Sequence, residues 1–387
     1  MEPVVVHSFP VWLPQTQTWM YSQVDQLQKL GIKNYVVCDR TENLNQFAVK
    51  GIICLENASP IRQIWDKGAR KLRLRPYSGL LNEQIKNVGA NIVHSHFGNV
   101  GWNNLRIIRN SQTKHVVTFY GFDVSRLPKV RPVWIKRYFR LFAEVDRVLC
   151  EGSHMANCIV DLGCPSNKVR VQHLGVDVDN ISFRPRVWNQ ENPLKVLIAA
   201  SFREKKGIPN AISALSIINK ETPIELTIIG DSGLDQESQN EKTRILQALK
   251  SGCLENQTRL LGYQTHEAML AEAYNHHLFL QPSITAMNGD TEGGAPVTII
   301  EMLATGMPVV ATTHCDIPEV VGPALSSFLA PEKNIIALSE CIRKMLRNTS
   351  NWNTIAQDSR RHIENNYNHV KQAQTLLNHY KEVVTET

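Results

Sequence analysis

Short apolar runs alternate with stretches of helical length along most of the chain. "NIVHSHFG", "HVVTFYG", "RVLCEGS" and "VRVQHLGV" read as strands in the first half. "LKVLIAAS", "IELTIIGDSG", "LFLQPS" and "MPVVATTH" do so in the second. Apolar positions fall on both sides of these runs, which predicts strands covered on both faces, as in a parallel sheet between helices. Strand–helix alternation of this kind predicts a doubly wound α/β fold. The pattern breaks near residues 180–193, "NISFRPRVWNQENP", a polar stretch containing Pro185 and Pro193. The expected organisation is an N-terminal Rossmann-like domain over 1–182, a linker over 183–193 and a second Rossmann-like domain over 194–365. A strandless helical segment, 366–387, closes the chain. Ligands of open α/β sheets bind beyond the carboxyl ends of the strands, so the two domains are expected to face a central cleft.

A length of 387 residues agrees with two cores rather than one. Hydrophobic residues at 42% and charged residues at 20% are those of an ordinary globular protein. No run reaches the roughly 18 consecutive apolar residues of a membrane span. The start, "MEPVVVHSFPVWLP", lacks the basic region and long apolar stretch of a signal peptide. A cytoplasmic location is expected, at or near the inner face of the membrane. The eight cysteines are scattered without a Cys-x-x-Cys pair, which suits buried reduced thiols. Charge is uneven: residues 1–190 carry 25 Lys and Arg against 14 Asp and Glu, the remainder 17 against 22. The basic first half points to an anionic surface or acceptor as its partner.

Candidate chemistry concentrates at predicted strand ends. In "LIAASFREKKGIPNAISAL", Arg203, Lys205 and Lys206 occupy the connection between a strand and a helix. Cations there can grip phosphate, although a lysine-rich connection can equally be a solvated loop. In "ITAMNGDTEGGAPVTIIEMLATG", a glycine turn runs into a helix that starts at Pro296 and ends before Gly306. Glycines allow close approach of backbone N–H groups and the helix start favours an anion. The spacing is not that of a Walker P-loop. Glu292 and Glu301 flank this turn, and ionised carboxylates accept from pairs of hydroxyls. A ligand that presents hydroxyls, then phosphates, then hydroxyls fits this order, which describes a sugar nucleotide.

In the first half, "NIVHSHFG" puts His94 and His96 on one face at a strand end. No third ligand is apparent nearby for zinc, which leaves substrate contact or a structural role. "TFYGFDVSR" places Tyr120, Gly121 and Asp123 after the next strand. Asp177-x-Asp179 falls at the domain junction and is not read as a metal site. Residues 126–142, "RLPKVRPVWIKRYFRLF", interleave six basic residues with apolar ones. Such a segment can rest on anionic lipid or form a core helix with a solvated basic face. No nucleic-acid module accompanies it.

Taken together, these residues resemble the retaining GT-B glycosyltransferases of family 4, nearest to the enzymes of colanic-acid-type exopolysaccharide synthesis. The resemblance spans nearly the whole chain and is strongest over 194–322. "EGGAPVTIIEMLATGMPVVATTHCDIPEVV" carries it, with support from "ASFREKKGI" and "VHSHFG". It implies that Glu292 holds hydroxyls of the donor sugar and Glu301 the ribose. Amides around Gly293, Gly294 and Ala295 would face the sugar and diphosphate, and Lys206 with Arg203 would neutralise the leaving diphosphate. His96 would approach the reacting sugar, while "IIGDSG", with Gly230, and "RLLGY" would line the nucleotide pocket. "TQTWM" is similar to a loop near acceptor and phosphates, which adds Thr16, Gln17 and Thr18 to Tyr120 and Asp123 there. The last helix would return to the first domain.

Three departures stand out. Eight residues, rather than the family's seven, separate Glu292 from Glu301; Ser201 occupies the usual arginine position; Tyr120 stands where many relatives carry histidine. The implied function is retaining transfer of a sugar, of hexosyl type, from a nucleoside-diphosphate sugar to an acceptor hydroxyl. The acceptor is expected to be a saccharide or lipid-linked saccharide of exopolysaccharide or lipopolysaccharide synthesis. No cofactor and no metal are implied; peripheral contact with an anionic membrane through 126–142 is. A sugar-nucleotide epimerase and a non-catalytic donor-binding subunit remain the alternatives.

Overall fold

The computed structural model describes residues 2–14, 18–44, 49–72, 74 and 78–385. The chain forms two compact units, Met1–Asp177 with Asn368–Thr387, and Val178–Tyr367. Residues 183–193, expected as a linker, pack onto the second unit. Arg186 is buried there and its guanidinium donates to the carbonyls of His276, Ala273 and Thr305.

Among the described residues, the main sheet of the first unit has seven parallel strands: β1 (Val4–Ser8), β2 (Lys33–Cys38), β3 (Ile52–Cys54), β4 (Ile92–His96), β5 (Lys114–Thr118), β6 (Arg147–Cys150) and β7 (Val169–Val171). Their order across the sheet is β3-β2-β1-β4-β5-β6-β7. Adjacent residues of one strand serve opposite faces. Val5 and Ile92 pack with Leu27 of helix α1 (Thr18–Lys29), and Val6 and Val93 pack with the helices of the other side. This explains why the strands read as unbroken apolar runs. The other side carries α2 (Pro60–Lys71), α3 (Gly79–Val88), α4 (Gly98–Arg109) and α5 (Val133–Glu144). Of these, α3 and α4 bring Leu81, Ile85 and Ile107 onto the sheet.

The second unit repeats the scheme with six parallel strands: β8 (Leu194–Ala199), β9 (Ile224–Ile229), β10 (Thr258–Gly262), β11 (Leu278–Gln281), β12 (Val309–Thr312) and β13 (Leu329–Ala330). Their order is β10-β9-β8-β11-β12-β13. Helices α6 (Ile208–Ile218), α7 (Gln236–Ser251), α8 (Val297–Ala304) and α9 (Trp352–Asn366) belong to this unit; α10 (His369–Thr385) belongs to the first. Leu376, Tyr380 and Val383 of α10 are buried against β1, β4 and β5. All strands expected from the sequence are present. The pattern missed β1, β2, β3, β10 and β13, which are short, partly polar or both.

One backbone position holds the site in shape. Gly207 has φ +64°, and a Cβ on it would lie 1.9 Å from the Pro282 carbonyl oxygen. It closes the turn after β8 against the end of β11, and only glycine tolerates both the left-handed φ and the close approach. Gly207→Ala is expected to cost on the order of 3 kcal/mol. Urea unfolding measures this; an unchanged midpoint with an unchanged slope would refute the packing described.

Candidate active site

In the second unit the strand order reverses between β8 and β11, which are neighbours in the sheet although far apart in sequence. A reversal of this kind opens a crevice at the carboxyl edge. The two loops that leave there are laced together. Ile284 N–H donates to the Lys205 carbonyl at 2.8 Å, and Lys205 Nζ donates to the Thr291 carbonyl at 2.8 Å.

At their centre Lys206 Nζ lies 2.8 Å from Glu292 Oε2, with the side chains 15% and 5% exposed. The Ser283 hydroxyl donates to Glu292 Oε1 at 2.7 Å and receives a hydrogen bond from Gln281 Nε2. Burial would raise the Glu292 pKa, but Lys206, Lys205 and Ser283 outweigh it and hold the carboxyl at about 2. It is therefore an anion at neutral pH. A carboxylate has about four acceptor positions. Two are used by Lys206 and Ser283, which leaves about two without a side-chain donor.

The Glu292 backbone is fixed as well. Its N–H donates to His314 Nε2 at 3.1 Å, so the His314 proton sits on Nδ1, which donates to Glu332 Oε1 at 2.6 Å. Glu332 also accepts from the Thr285 N–H at 2.6 Å. In the turn that follows, Gly293 has φ +81° and its N–H donates to Thr291 Oγ1 at 3.2 Å. The amides of Glu292 and Gly293 are thus engaged within the loop. Gly294, Ala295 and Pro296 lead into α8, whose first N–H groups have no partner within a helix.

Glu301, on α8, is buried and lies 2.6 Å from His266 Nε2. That hydrogen bond raises the His266 pKa and outweighs its burial. Arg203 does not join Lys206 at Glu292. It forms a two-pronged pair with Asp235, at 2.7 and 2.8 Å, where Asp235 caps α7 by accepting from the Ser238 N–H. Gly230 ends β9 with φ +124°, and a Cβ there would meet the Ala200 carbonyl at 1.9 Å.

In the first unit, β1 and β4 pair so that His7 stands opposite His94. His7 Nδ1 and His96 Nε2 are 3.0 Å apart, and His96 Nδ1 is 2.6 Å from the Tyr120 hydroxyl. The Phe9 ring stacks on His96 at 3.8 Å. His94 binds the hydroxyls of Tyr380 and Thr118, at 2.7 and 2.6 Å. A third histidine therefore does lie beside His94 and His96, on a strand the sequence pattern missed. Burial drives all three toward neutrality, and His7 falls to about 3. Hydrogen bonds account for both nitrogens of His94 and of His96. Asp123 is fully buried and accepts from the N–H groups of Gly98 and Tyr120, at 2.6 and 3.0 Å. Burial lifts its pKa to about 6 against those amides. It clasps the Tyr120 loop to the start of α4.

Residues 180–369 match the family described as Glycosyl transferases group 1, and residues 16–180 match Glycosyltransferase Family 4. The amylovoran biosynthesis glycosyltransferase AmsK of Erwinia amylovora is 31% identical over 286 residues, 73% of this chain and 68% of that one. The chain is a family 4 glycosyltransferase. Among solved structures, sucrose-phosphate synthase from Thermosynechococcus elongatus matches with a TM-score of 0.79 at 15% identity, over all of both chains. Anabaena HepE in complex with UDP-glucose matches with a TM-score of 0.77 at 15% identity, over 98% of this chain and all of that one. These likenesses show the fold, which is GT-B.

The enzyme thus brings Lys206 and Glu292 into direct contact and holds Arg203 and Glu301 on partners of their own. Thr16 and Gln17 lie outside the described residues, as does the side chain of Thr18. Trp19, next in that segment, packs on Tyr120 with ring centres 4.4 Å apart. Reasoning from sequence missed Ser283, His314, Glu332, His266 and His7. The first three each follow the carboxyl end of a strand, a position that could have flagged them.

Proposed function

We propose that this enzyme moves a sugar from a nucleoside-diphosphate sugar to an acceptor hydroxyl with retention of anomeric configuration. The observation that carries this reading is the buried Lys206–Glu292 pair at the reversal point of the second sheet. It sets a cation beside a carboxylate that is ionised at neutral pH, where a phosphate and a sugar hydroxyl of one donor can each find a partner. Anabaena HepE, which shares the fold, was solved in complex with UDP-glucose, and this supports a nucleotide-sugar donor here.

In this mechanism the bond from the anomeric carbon to the diphosphate oxygen breaks as the bond to the acceptor oxygen forms on the same face. The acceptor proton passes to the departing phosphate. Lys206 and the N-terminal end of α8 stabilise the charge that develops on the diphosphate. Arg203 joins them by exchanging Asp235 for phosphate. Glu292 orients the sugar hydroxyls and Glu301 takes the ribose. His7 and Tyr120 hold both ring nitrogens of His96 within the first unit. No protein base, metal or cofactor is needed for this proton route.

The acceptor on this reading is a lipid-linked saccharide in exopolysaccharide assembly, consistent with the name of the Erwinia relative. Among the described residues, no helix is long and apolar enough to cross a membrane. The 126–142 segment buries Trp134, Tyr138, Leu141 and Phe142 and exposes Lys129, Arg131, Lys136, Phe139 and Arg140. That exposed set suits peripheral contact with an anionic membrane. The test is a thermal-shift screen against UDP-, GDP- and ADP-sugars, followed by NMR of the product formed with the stabilising donor. The product should keep the donor's anomeric configuration. Inversion would sink the retaining mechanism, and an epimer formed without any acceptor would sink transfer.

A further inference from the structure

Helix α2 is turned inside out relative to its neighbours. Ile61, Ile64, Trp65 and Leu72 recur at helical spacing and form one stripe, as in an amphipathic helix facing a core. Here the stripe faces away from the protein, with those side chains 72%, 71%, 71% and 72% exposed. Leu74 extends it at 64%.

Polar contacts fix this orientation. Asp66, 1% exposed, accepts from the Gly79 N–H at 2.6 Å and pairs with Arg70 at 3.1 Å. Arg70 forks onto Asp39 at 2.7 and 3.0 Å, and Arg62 pairs with Glu83 of α3. Gln63 donates to the carbonyls of Glu56 and Ala58. The helix therefore presents its polar side inward and its apolar side outward, an arrangement that rotation could reverse only by breaking all these bonds.

The exposed charge that α2 itself carries is basic. Lys67 and Lys71 are exposed, whereas Asp66, the one acidic residue of α2, is buried on the inward side. An apolar stripe with an indole among aliphatics and a basic flank is the composition of a helix that lies in a lipid headgroup layer. The layer that holds α2 also holds α5, through Arg62–Glu83, Arg106 of α4 on the Leu74 carbonyl, and Arg109–Glu144.

We propose that α2 docks this enzyme on an anionic phospholipid surface by inserting Ile61, Ile64, Trp65 and Leu72 between headgroups that Lys67 and Lys71 engage. This docking extends the peripheral contact proposed above for residues 126–142, and it is tested without donor or acceptor. Full-length enzyme is sedimented with phosphatidylcholine vesicles with or without phosphatidylglycerol. Binding is expected only with phosphatidylglycerol. Trp65→Glu and Ile64→Glu should each weaken it by about tenfold or more, and Lys67→Glu with Lys71→Glu by a similar factor. Because these side chains are exposed, melting temperatures should stay near that of the parent. Phe139→Glu separates the two surfaces. Loss with Phe139→Glu and none with Trp65→Glu would overturn the role of α2 and leave that of 126–142 standing. Failure of the parent to bind phosphatidylglycerol vesicles would overturn both. A dimer in solution that Trp65→Glu dissolves, with vesicle binding unchanged, would reassign the stripe to a second copy.

Discussion

Lys206→Ala is expected to lower turnover by about three orders of magnitude, the scale of losing a preorganised charge at a departing oxyanion. A lysine in a solvated loop would be removable without harm to the fold. The structure changes that expectation, because Lys206 is only 15% exposed and its partner Glu292 only 5%. Stranding a buried carboxylate costs about 3 kcal/mol. Part of the activity loss would then be loss of folded enzyme. The double variant Lys206→Met with Glu292→Gln removes both charges together and should regain much of the stability without regaining turnover. The readout is release of nucleoside diphosphate from the donor that stabilises the enzyme, assayed well below each variant's melting temperature. Near-parental turnover in either variant would show that Lys206 does not serve the leaving group.

The second large effect concerns acid stability. Glu292 is held at about 2, against an ordinary value of 4.5, although burial pushes it upward. Its folded pKa is depressed, so the stabilisation is complete above about pH 4.5 and drains away as pH falls toward 2. The difference corresponds to roughly 3 kcal/mol. Glu292→Gln keeps the shape and a contact for Ser283, yet leaves Lys206 without its counter-charge. The variant should be less stable than the parent by about that amount at pH 7, and the gap should close as pH is lowered to 2. Urea midpoints measured across that range decide it. A gap that stays constant with pH would mean that the carboxylate charge is not what stabilises the loop.

Much of the fold is legible in the sequence because parallel strands covered on both faces must be apolar on both sides. Val5 and Val6, or Ile92 and Val93, illustrate this directly. The strands that escape the pattern are those with another duty. β1 ends in His7 and Ser8, and β2 starts with Lys33 and Asn34. The site is legible as a set of residue types in two loops, since glycine turns, lysines and paired glutamates announce phosphate and hydroxyl binding. Which of them meet is a different matter. Lys206 reaches Glu292 because β8 and β11 are neighbours, a property of strand order that residue spacing does not encode. Arg203 turns to Asp235 for the same kind of reason, since β8 also borders β9, whose following loop leads to that cap. The chain from Glu292 through His314 to Glu332 joins the ends of three strands; strand ends mark its members as candidates, but residue spacing does not encode which of them meet.

The position of α10 has a consequence for how the molecule is made. Its Leu376, Tyr380 and Val383 complete the core of the first sheet, and the Tyr380 hydroxyl secures His94. During synthesis the first unit therefore lacks a wall of its core until α10 emerges. The second unit, continuous from Val178 to Tyr367, has all its parts earlier. The usual N-to-C order of domain maturation is thereby inverted. The histidine cluster acquires its Tyr380 contact only once α10 has been made.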